Sequence, residues 1–462
     1  MRWRFLVVLF AATFPLGGAV AASPSDAAIS RQVEAVLEQA AMPDGPGVAI
    51  LVARGDIVLF RGARGRADIE LGVPLSPDQV FRIASVTKMF TAATVVKLAG
   101  QGKLSLDDPL AKYFPAIPGA AQITLRQLLN HTAGISDKSV MPQPGVFRRE
   151  VNTASHLAEI GKRQPDFPSG TRWAYSNAGY IVLGAVIEKV TGEAWYATLQ
   201  KQLLDPLGLQ HTRYGDTAAL IAGRVHGYTT DNPGRQVNHA AFISASVPAA
   251  AGALVSTLDD LRLWMRALAS GRAIGRDGFQ SMIAMTSDLP GASPARRYGL
   301  GMYLWRVRGS AMVGHTGQID GFASAVGYLP KEDLTVVVLA NDDDFDARTM
   351  SRRLAAIALG KPYPDVVAVV SPEETLQALA GKYQDNETTL FTLSVKEHAL
   401  YFQRGERTPI RLQVTADQRL YFIPDELSYF QPVRDASGKI VRLDYFEGGD
   451  DPPKAMPRMA GS

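Results

Sequence analysis

Three short polar motifs follow one another along a chain of 462 residues, and their order limits the possible folds more than any other feature. They are Ser85-Val86-Thr87-Lys88, Tyr175-Ser176-Asn177 and His315-Thr316-Gly317. Serine hydrolases that acylate a Ser-x-x-Lys nucleophile need a second proton-handling group and a strand that bears a cation, a hydroxyl and a glycine. The chain is therefore expected to fold so that these distant segments meet at one active site.

The N-terminal residues predict export. Arg2 and Arg4 precede an apolar run over 5–15, and small residues at 19–21 offer a cleavage site. This is the pattern of a secretory signal peptide, here predicted over 1–22, and it implies a periplasmic or secreted protein. The apolar run is short for a membrane span, and no later segment is long enough, so a retained N-terminal anchor is the less favoured alternative.

Composition excludes several classes of protein. The chain has no cysteine, which rules out disulfides, thiolate catalysis, thiolate metal sites and a cysteine-linked lipid anchor. Lys and Arg number 48 against 45 Asp and Glu, without a long basic run, so nucleic acid is not an expected partner. The seven histidines form no His-x-His or His-Glu-x-x-His cluster, and there is no Gly-x-Ser-x-Gly. Neither a metal, a cofactor nor an α/β-hydrolase nucleophile elbow is predicted.

Hydrophobic periodicity predicts one sheet assembled from the two ends of residues 26–360. The predicted elements are a helix over 26–42, strands over 48–53 and 57–60, strands over 323–329 and 334–340, and a helix over roughly 348–359. The predicted fold is α/β of the α+β type: an antiparallel sheet flanked by terminal helices, with a large, mostly helical insertion between residues 66 and 295.

The C-terminal region has a different pattern. A Pro-containing linker is predicted over 361–370, followed over 371–447 by short alternating strands separated by turn residues. Such spacing indicates a small all-β barrel or sandwich, without visible chemistry. Residues 448–462, rich in Gly, Asp and Pro, are predicted to be a disordered tail.

Ser85 stands just before an apolar-periodic run that ends at Gly100, which predicts the first position of a buried helix. There the helix dipole favours negative charge, so the Ser85 amide is expected to donate to an oxyanion. Lys88 lies one turn later on the same face, within reach of the Ser85 hydroxyl. Apolar surroundings lower the pKa of a lysine, which lets it share or accept the serine proton. A serine cap followed by a surface lysine is the alternative interpretation.

Tyr175 and Asn177 lie between a turn and an apolar helix that begins near Ala178. Since nearby cations lower the pKa of a phenol, Tyr175 is expected to act as general base toward Ser85 and later toward water. Asn177 is expected to hold the substrate amide and Lys88. The alternative is a tyrosine packed at a helix entrance.

His315, Thr316, Gly317 and Gln318 precede a predicted strand over 321–329. Gly317 is expected to allow a substrate backbone to approach the strand. The Gln318 amide is expected to face the Ser85 amide as second oxyanion donor, and Thr316 to offer its hydroxyl to a substrate carboxylate or carbonyl. A buried structural histidine is the alternative for His315.

Longer stretches around these motifs are similar to a known family. They are 81–91 (FRIASVTKMFT), 128–135 (LLNHTAGI), 175–180 (YSNAGY), 206–209 (PLGL) and 252–256 (GALVS). Over roughly 30–360 the chain resembles serine β-lactamases and penicillin-binding proteins of the class C-like branch, which includes DD-peptidases, esterases and D-aminopeptidases. The resemblance implies Ser85 as nucleophile, Lys88 and Tyr175 as proton handlers, and an appended small β-domain at the C-terminus.

His315 departs from that family's lactamases, which usually carry lysine before Thr-Gly. Histidine is mostly neutral near neutral pH, so capture of a β-lactam carboxylate should be weaker and activity should respond to pH near neutrality. His131, in a related-looking His-Thr-Ala-Gly, is interpreted as a structural turn residue.

The first hypothesis is an exported serine hydrolase acting on D-amino-acid peptides or small esters. A class C-like β-lactamase is the alternative within this class, so the expected partner is a small peptide, ester or β-lactam. From a different class, a non-catalytic protein that binds penicillin or peptidoglycan peptides stays possible. The sequence leaves the oligomeric state open.

Overall fold

The structure is a computed structural model that describes residues 25–140, 148–231, 236–284, 289–290, 297–385, 389–422, 427–450 and 452–459. The predicted signal peptide over 1–22 lies outside the described residues. Among the helices that the structure describes, none combines the length and apolarity that a membrane crossing requires.

A central sheet of seven antiparallel strands organises the larger part of the chain. Across the sheet the strands are Arg297–Tyr298, Tyr303–Val307, Ser310–Ile319, Phe322–Leu329, Leu334–Ala340, Val48–Arg54 and Ile57–Arg64. The N-terminal hairpin thus pairs with strands from far along the chain, with Val48 opposite Ala340. The predicted α+β architecture is confirmed.

Two hydrophobic cores lie on opposite faces of this sheet. In the strand Val48–Arg54, Ile50 and Val52 belong to one core with the terminal helices Asp26–Ala40 and Ala347–Ala358. Ala49 and Leu51 belong to the larger core, which is formed with the inserted helices. Because successive strand residues point to opposite faces, a strand covered on both sides needs a nearly continuous apolar run.

The insertion is mostly helical, as predicted. Its α-helices are Thr87–Gly100, Leu125–Leu129, Thr153–Gly161, Asn177–Thr191, Trp195–Leu199, Asp205–Leu207, Leu258–Ala269 and Arg276–Ile283; a π-helical turn covers Gln200–Leu204, and 3-10 turns cover Ala84–Val86, Leu110–Lys112, Asp137–Ser139 and Ala249–Ala251. Short strands lie among them at Arg66–Asp68, Val73–Pro74, Phe81–Arg82, Arg213–Tyr214, Tyr228–Asp231, Gln236–His239 and Leu254–Ser256.

The C-terminal region forms a second sheet of eight strands, here called the C-terminal barrel. A helix, Glu373–Leu379, precedes the strands Gly381–Gln384, Leu390–Lys396, Ala399–Arg404, Ile410–Val414, Leu420–Phe422, Tyr429–Arg434, Ile440–Phe446 and Lys454–Pro457. A bridge between Tyr383 and Arg458 brings the first and last strands together. The interior is filled by apolar side chains, among them Phe402 and Phe430.

The prediction of a disordered tail over 448–462 is wrong for residues 454–457. These residues form the last strand of the C-terminal barrel and pair with Ile440–Phe446. Met456 is buried there with 1 % of its surface exposed, and Lys454 forms an ion pair with Asp385 at 2.5 Å. One buried apolar residue and one ion pair fix a strand whose composition resembles a disordered segment.

The C-terminal barrel contacts the rest of the chain through charged residues. Asp450 accepts hydrogen bonds from the Tyr363 hydroxyl and, at 2.7 Å, from the Arg308 backbone N–H. Glu447 lies 3.2 Å from Arg348. Arg308 lies in the turn that precedes the strand Ser310–Ile319, so the barrel docks at the opposite end of that strand from the His315 motif.

Candidate active site

The turn that carries Ser85 is held between two neighbouring strands. The Ile83 N–H donates to the Leu254 carbonyl at 3.1 Å, and the Ser324 hydroxyl donates to the Ile83 carbonyl at 2.9 Å. Ala84 adopts a left-handed conformation with φ of 45°, which is uncommon for a residue with a side chain. The turn places Ser85 two residues before the helix Thr87–Gly100 rather than at its predicted first position, at the end where backbone N–H groups favour negative charge.

Lys88 is fully buried and makes three hydrogen bonds through Nζ. Its partners are Ser85 Oγ at 3.0 Å, Asn177 Oδ1 at 2.8 Å and the Ala251 carbonyl at 2.8 Å. Burial lowers the pKa of Lys88 to about 7, against a smaller opposing effect of the Asp137 charge. The neutral amine is therefore accessible near neutral pH.

The partners of Lys88 determine what its neutral form can do. A neutral amine has two hydrogens and one lone pair, and both the Asn177 Oδ1 atom and the Ala251 carbonyl can only accept. These two acceptors take the two hydrogens, so the lone pair is left for Ser85 Oγ. In this state the Ser85 hydroxyl donates to Lys88, which is the geometry required of a general base.

Asn177 is oriented by a carboxylate that the sequence did not indicate. Its Nδ2 donates to Asp137 Oδ2 at 3.0 Å, so Oδ1 faces Lys88. Asp137 also accepts from the Ser176 hydroxyl at 3.1 Å and from the Ala178 N–H at 2.9 Å. The Asp137 carboxylate thus caps the helix Asn177–Thr191 and fixes the amide that holds Lys88.

Tyr175 is brought beside both Ser85 and Lys88. Its side chain interacts electrostatically with that of Ser85, and Lys88 Nζ lies 4.8 Å from the centre of its ring. Burial raises the pKa of Tyr175 well above the usual value for a phenol, and the neighbouring Tyr303 adds to the effect. The expected lowering of this pKa is therefore wrong, because desolvation outweighs a lysine that is itself easily deprotonated.

His315 is buried, with 1 % of its surface exposed, and both ring nitrogens have partners. Nδ1 lies 2.5 Å from the Thr316 carbonyl oxygen, which can only accept, so Nδ1 carries the hydrogen. Nε2 of the neutral ring then accepts from the Tyr298 hydroxyl at 2.9 Å. Burial, with the Lys88 charge as a smaller cause, lowers the pKa of His315 to about 3.

One sequence-based expectation for His315 is therefore wrong. A buried ring whose pKa is lowered to about 3 does not titrate near neutrality, so it cannot make activity respond to pH there. The expected weaker capture of a β-lactam carboxylate is consistent with a neutral ring and stays a prediction. Charge neighbours are visible in a sequence, but burial of the imidazole among Tyr298, Tyr303 and Tyr175 is not.

Gly317 allows a close approach, but the segment that approaches it is the turn that carries Ser85 rather than a substrate backbone. A Cβ atom at this position would lie 2.3 Å from the Ile83 carbonyl oxygen and 3.0 Å from Ala84 Cβ. The strand Ser310–Ile319 is third in the sheet, and its pairing with Tyr303–Val307 ends at Gly314, so the motif extends past that neighbour. The missing side chain of Gly317 lets the Ser85 turn pack directly against the strand.

Thr316 and Gln318 lie on the same strand. Thr316 is half-buried, and its carbonyl is occupied by His315. Gln318 is exposed, and its side-chain amide donates to the Asp343 carbonyl at 2.7 Å. The oxyanion role assigned to the Gln318 backbone and the substrate role of the Thr316 hydroxyl stay predictions.

Several residues of the site were missed by sequence reasoning. Asp137 and Tyr298 contact motif residues only after the chain has folded, and neither belongs to a recognisable pattern. The Ala251 carbonyl lies in the Ala249–Ala251 turn, just before the GALVS stretch. That stretch could have drawn attention to the neighbouring backbone, whereas nothing in the sequence pointed to Asp137 or Tyr298.

Comparison with known proteins agrees with this fold and geometry. The profile of the Beta-lactamase family matches residues 33–359, which is most of the chain. The chain therefore belongs to the beta-lactamase family. The match covers the central sheet, its insertion and all three polar motifs, and it ends before the C-terminal barrel.

Individual relatives are similar over parts of the chain. Protein flp of Staphylococcus aureus is 27 % identical over 337 residues, which are 71 % of this chain and 66 % of flp. Esterase EstB of Burkholderia gladioli is 33 % identical over 201 residues, which are 40 % of this chain and 51 % of EstB. The matched regions are thus less than two thirds of these curated relatives. A solved D-stereospecific amidohydrolase from a Streptomyces species is 28 % identical with a TM-score of 0.60, covering 69 % of this chain and 95 % of its own.

Proposed function

We propose that this protein is an exported serine hydrolase that forms an acyl-enzyme on Ser85 and cleaves small esters or amides without a carboxylate next to the scissile bond. One observation carries the proposal: Ser85 Oγ lies 3.0 Å from a buried lysine amine whose pKa is lowered to about 7 and whose hydrogens are taken by two other acceptors. A serine activated in this way is a nucleophile for acyl transfer.

In the proposed acylation, Ser85 Oγ attacks the substrate carbonyl carbon while its proton passes to Lys88 Nζ. The carbonyl oxygen gains negative charge near the N-terminus of the helix Thr87–Gly100, where the Ser85 amide is the proposed donor. The resulting ammonium is matched by three acceptors, since Asn177 Oδ1 and the Ala251 carbonyl stay in place and the third N–H faces Oγ. The face of the Tyr175 ring, 4.8 Å away, adds a favourable cation–π contact.

Tyr175 is assigned the complementary role of proton donor. Its raised pKa keeps the phenol protonated near neutral pH, so it can hand a proton to the departing alkoxide or amine. Lys88 can return the serine proton to the tyrosine oxygen as the leaving group departs. Deacylation follows the reverse course. A water molecule loses a proton to the Lys88–Tyr175 pair and attacks the acyl carbon. The Ser85 oxygen then leaves and regains its hydrogen from the same pair.

The neutral state of His315 determines which substrate charges the proposed site favours. The lysine-bearing lactamases that this family includes place a cation before Thr-Gly, whereas His315 is neutral and fully hydrogen-bonded. Neutral esters and amides are therefore favoured over β-lactams and over peptides that end in a carboxylate beside the scissile bond. The names of EstB and of the D-stereospecific amidohydrolase are consistent with ester and amide substrates.

The experiment is an activity panel with a nucleophile control. p-Nitrophenyl acetate, a D-amino-acid amide, a D-Ala-D-Ala peptide and nitrocefin are compared as substrates for the mature chain and for Ser85→Ala. We expect turnover of the first two, and a loss of about a thousandfold or more in Ser85→Ala, as nucleophile deletions produce. Turnover of the ester by Ser85→Ala at the rate of the unmodified chain would exclude the proposal. Preferred hydrolysis of nitrocefin would instead favour the lactamase alternative.

Export and the non-catalytic alternative need separate measurements. N-terminal sequencing of the protein secreted from its host would locate the cleavage predicted near residue 22 from the leader pattern. A purely binding protein would not need a serine hydrogen-bonded to a buried lysine whose pKa is lowered to about 7. Failure of both a fluorescent penicillin and a fluorophosphonate to label Ser85 would favour the binding alternative.

A further inference from the structure

His131 is the one strongly buried histidine near Ser85 that the proposed mechanism does not use. Only 1 % of its surface is exposed, and its ring is enclosed by aromatic side chains. The ring centre lies 4.3 Å from that of Tyr175, 4.5 Å from that of Tyr298 and 5.3 Å from that of Tyr180. A residue that only made a turn would not need to place an imidazole against the proposed proton donor.

The hydrogen bonds of His131 bracket Tyr175 on both sides. Its backbone carbonyl accepts from the Ala174 N–H at 3.0 Å, and its ring Nδ1 accepts from the Ser176 N–H at 3.1 Å. The two residues that flank Tyr175 are thus each bonded to His131 through a backbone N–H, while the Tyr175 ring packs on the same imidazole. This arrangement fixes the backbone on either side of Tyr175 and limits the movement of the Tyr175 side chain.

The backbone of His131 is held in an unusual conformation to make these contacts. Its φ is 64°, in the left-handed region that few non-glycine residues adopt. Because Nδ1 accepts an N–H, the neutral ring carries its hydrogen on Nε2, which has no hydrogen-bond partner among the described residues. An unsatisfied buried donor and a left-handed backbone are both unfavourable, so the surrounding structure must hold them in place.

Protonation of His131 would work against the site. Burial lowers the pKa of His131 well below its usual value, and the Lys88 charge acts in the same direction. The Ser176 N–H also requires a lone pair on Nδ1, which the protonated ring lacks. The neutral imidazole is therefore the form that can hold the Tyr175 segment.

We infer that His131 is a positioning residue that sets the place of Tyr175 relative to Ser85 by binding the Ser176 N–H and packing under the phenol. The inference rests on the proposed function, because it assigns His131 an effect on the acylation of Ser85. The His-Thr-Ala-Gly stretch then contributes directly to the site through its first residue.

The test compares His131→Asn with His131→Gly. Both residues tolerate a left-handed backbone, but only asparagine keeps a side-chain acceptor near the Ser176 N–H. For His131→Gly we expect kcat for p-nitrophenyl acetate and the phosphonylation rate of Ser85 to fall about a hundredfold, the scale of a displaced catalytic group, with KM changed little. His131→Asn should recover roughly tenfold of that loss, since it restores the hydrogen bond but not the ring.

Leu354→Ala is the control for stability. Leu354 is fully buried in the core on the other face of the central sheet, so this variant should lower the melting temperature and leave kcat unchanged below the transition. Two outcomes would overturn the inference, provided that Ser85 of the unmodified chain is labelled. One is a kcat in His131→Gly equal to that of the unmodified chain, and the other is an equal loss of kcat in His131→Asn and His131→Gly. If Ser85 in the unmodified chain is not labelled, the proposed function itself fails.

Discussion

The Tyr298 hydroxyl donates to His315 Nε2 at 2.9 Å, and this bond fixes the state of the imidazole. Replacing Tyr298 by phenylalanine removes the donor and leaves a buried acceptor without it. We expect the free energy of unfolding to fall by about 1–3 kcal/mol, the usual effect of an unsatisfied buried polar group. Urea unfolding at pH 7 measures the change, and a Tyr298→Phe variant as stable as the unmodified chain would show that the bond contributes nothing.

The pH dependence of turnover should follow Lys88 rather than His315. The active form of Lys88 is the free base, and its pKa is lowered to about 7, so kcat/KM for a neutral ester should be low at pH 5.5 and rise toward a plateau above pH 8. His315, with a pKa lowered to about 3, is neutral across that whole window. His315→Gln should therefore lower the rate but leave the midpoint of the rise in place. A midpoint that disappears in His315→Gln would assign the titration to the histidine.

The charge of Asp137 should affect the pH at which kcat/KM rises. Its negative charge acts on Lys88 to raise the pKa, against the larger effect of burial. Asp137→Asn removes the charge, so the rise in kcat/KM should move to lower pH. Activity at the plateau should also fall, because one carboxamide oxygen cannot accept from Ser176, Asn177 and Ala178 together.

Asp107→Asn is a suitable control for the Asp137 experiment. Asp107 pairs with Arg126 through exposed side chains, and it carries the same charge. The control variant should keep the midpoint of the unmodified protein. A shift in both variants would mean that the midpoint reports overall charge rather than the local field at Lys88.

Gly317→Ala tests the packing of the Ser85 turn against the strand Ser310–Ile319. The added methyl group would lie 2.3 Å from the Ile83 carbonyl oxygen, so backbone has to move. We expect a loss of about 1–3 kcal/mol in stability and, since the nucleophile shifts, about a hundredfold in kcat. Gly100→Ala is the matched control, because no atom lies within 4 Å of the added Cβ. Unchanged kcat in Gly317→Ala would remove the structural reason for this glycine.

The sequence predicted the local parts of the site well. Ser85 and Lys88 are three residues apart at the start of a helix, and this spacing alone brings Nζ to 3.0 Å from Oγ. The alternating and helical patterns likewise predicted the strands and terminal helices of the central sheet, because each pattern reflects which face is buried. The catalytic roles of the motif residues stay predictions, since geometry alone does not measure turnover.

What depended on distant contacts could not be predicted. The bond of Asp137 to Asn177 and that of Tyr298 to His315 depend on how loops are brought together, which no local pattern encodes. The pKa direction of Tyr175 was misjudged and the lowered pKa of His315 was missed, because the burial of these two rings comes from distant segments of the chain. The last strand of the C-terminal barrel was missed because its pairing, rather than its composition, makes it a strand.

If neutral Lys88 removes the proton of Ser85, modification of Ser85 by an electrophile must slow as Lys88 becomes protonated. The mature chain is treated with an uncharged fluorophosphonate between pH 5.5 and 8.5, and the modified peptide is identified by mass spectrometry. We expect one adduct, on Ser85, formed at a rate that rises with pH around an apparent pKa near the value of about 7 for Lys88. An adduct on another residue, or a labelling rate at Ser85 that does not change across this range, would contradict this role of Lys88.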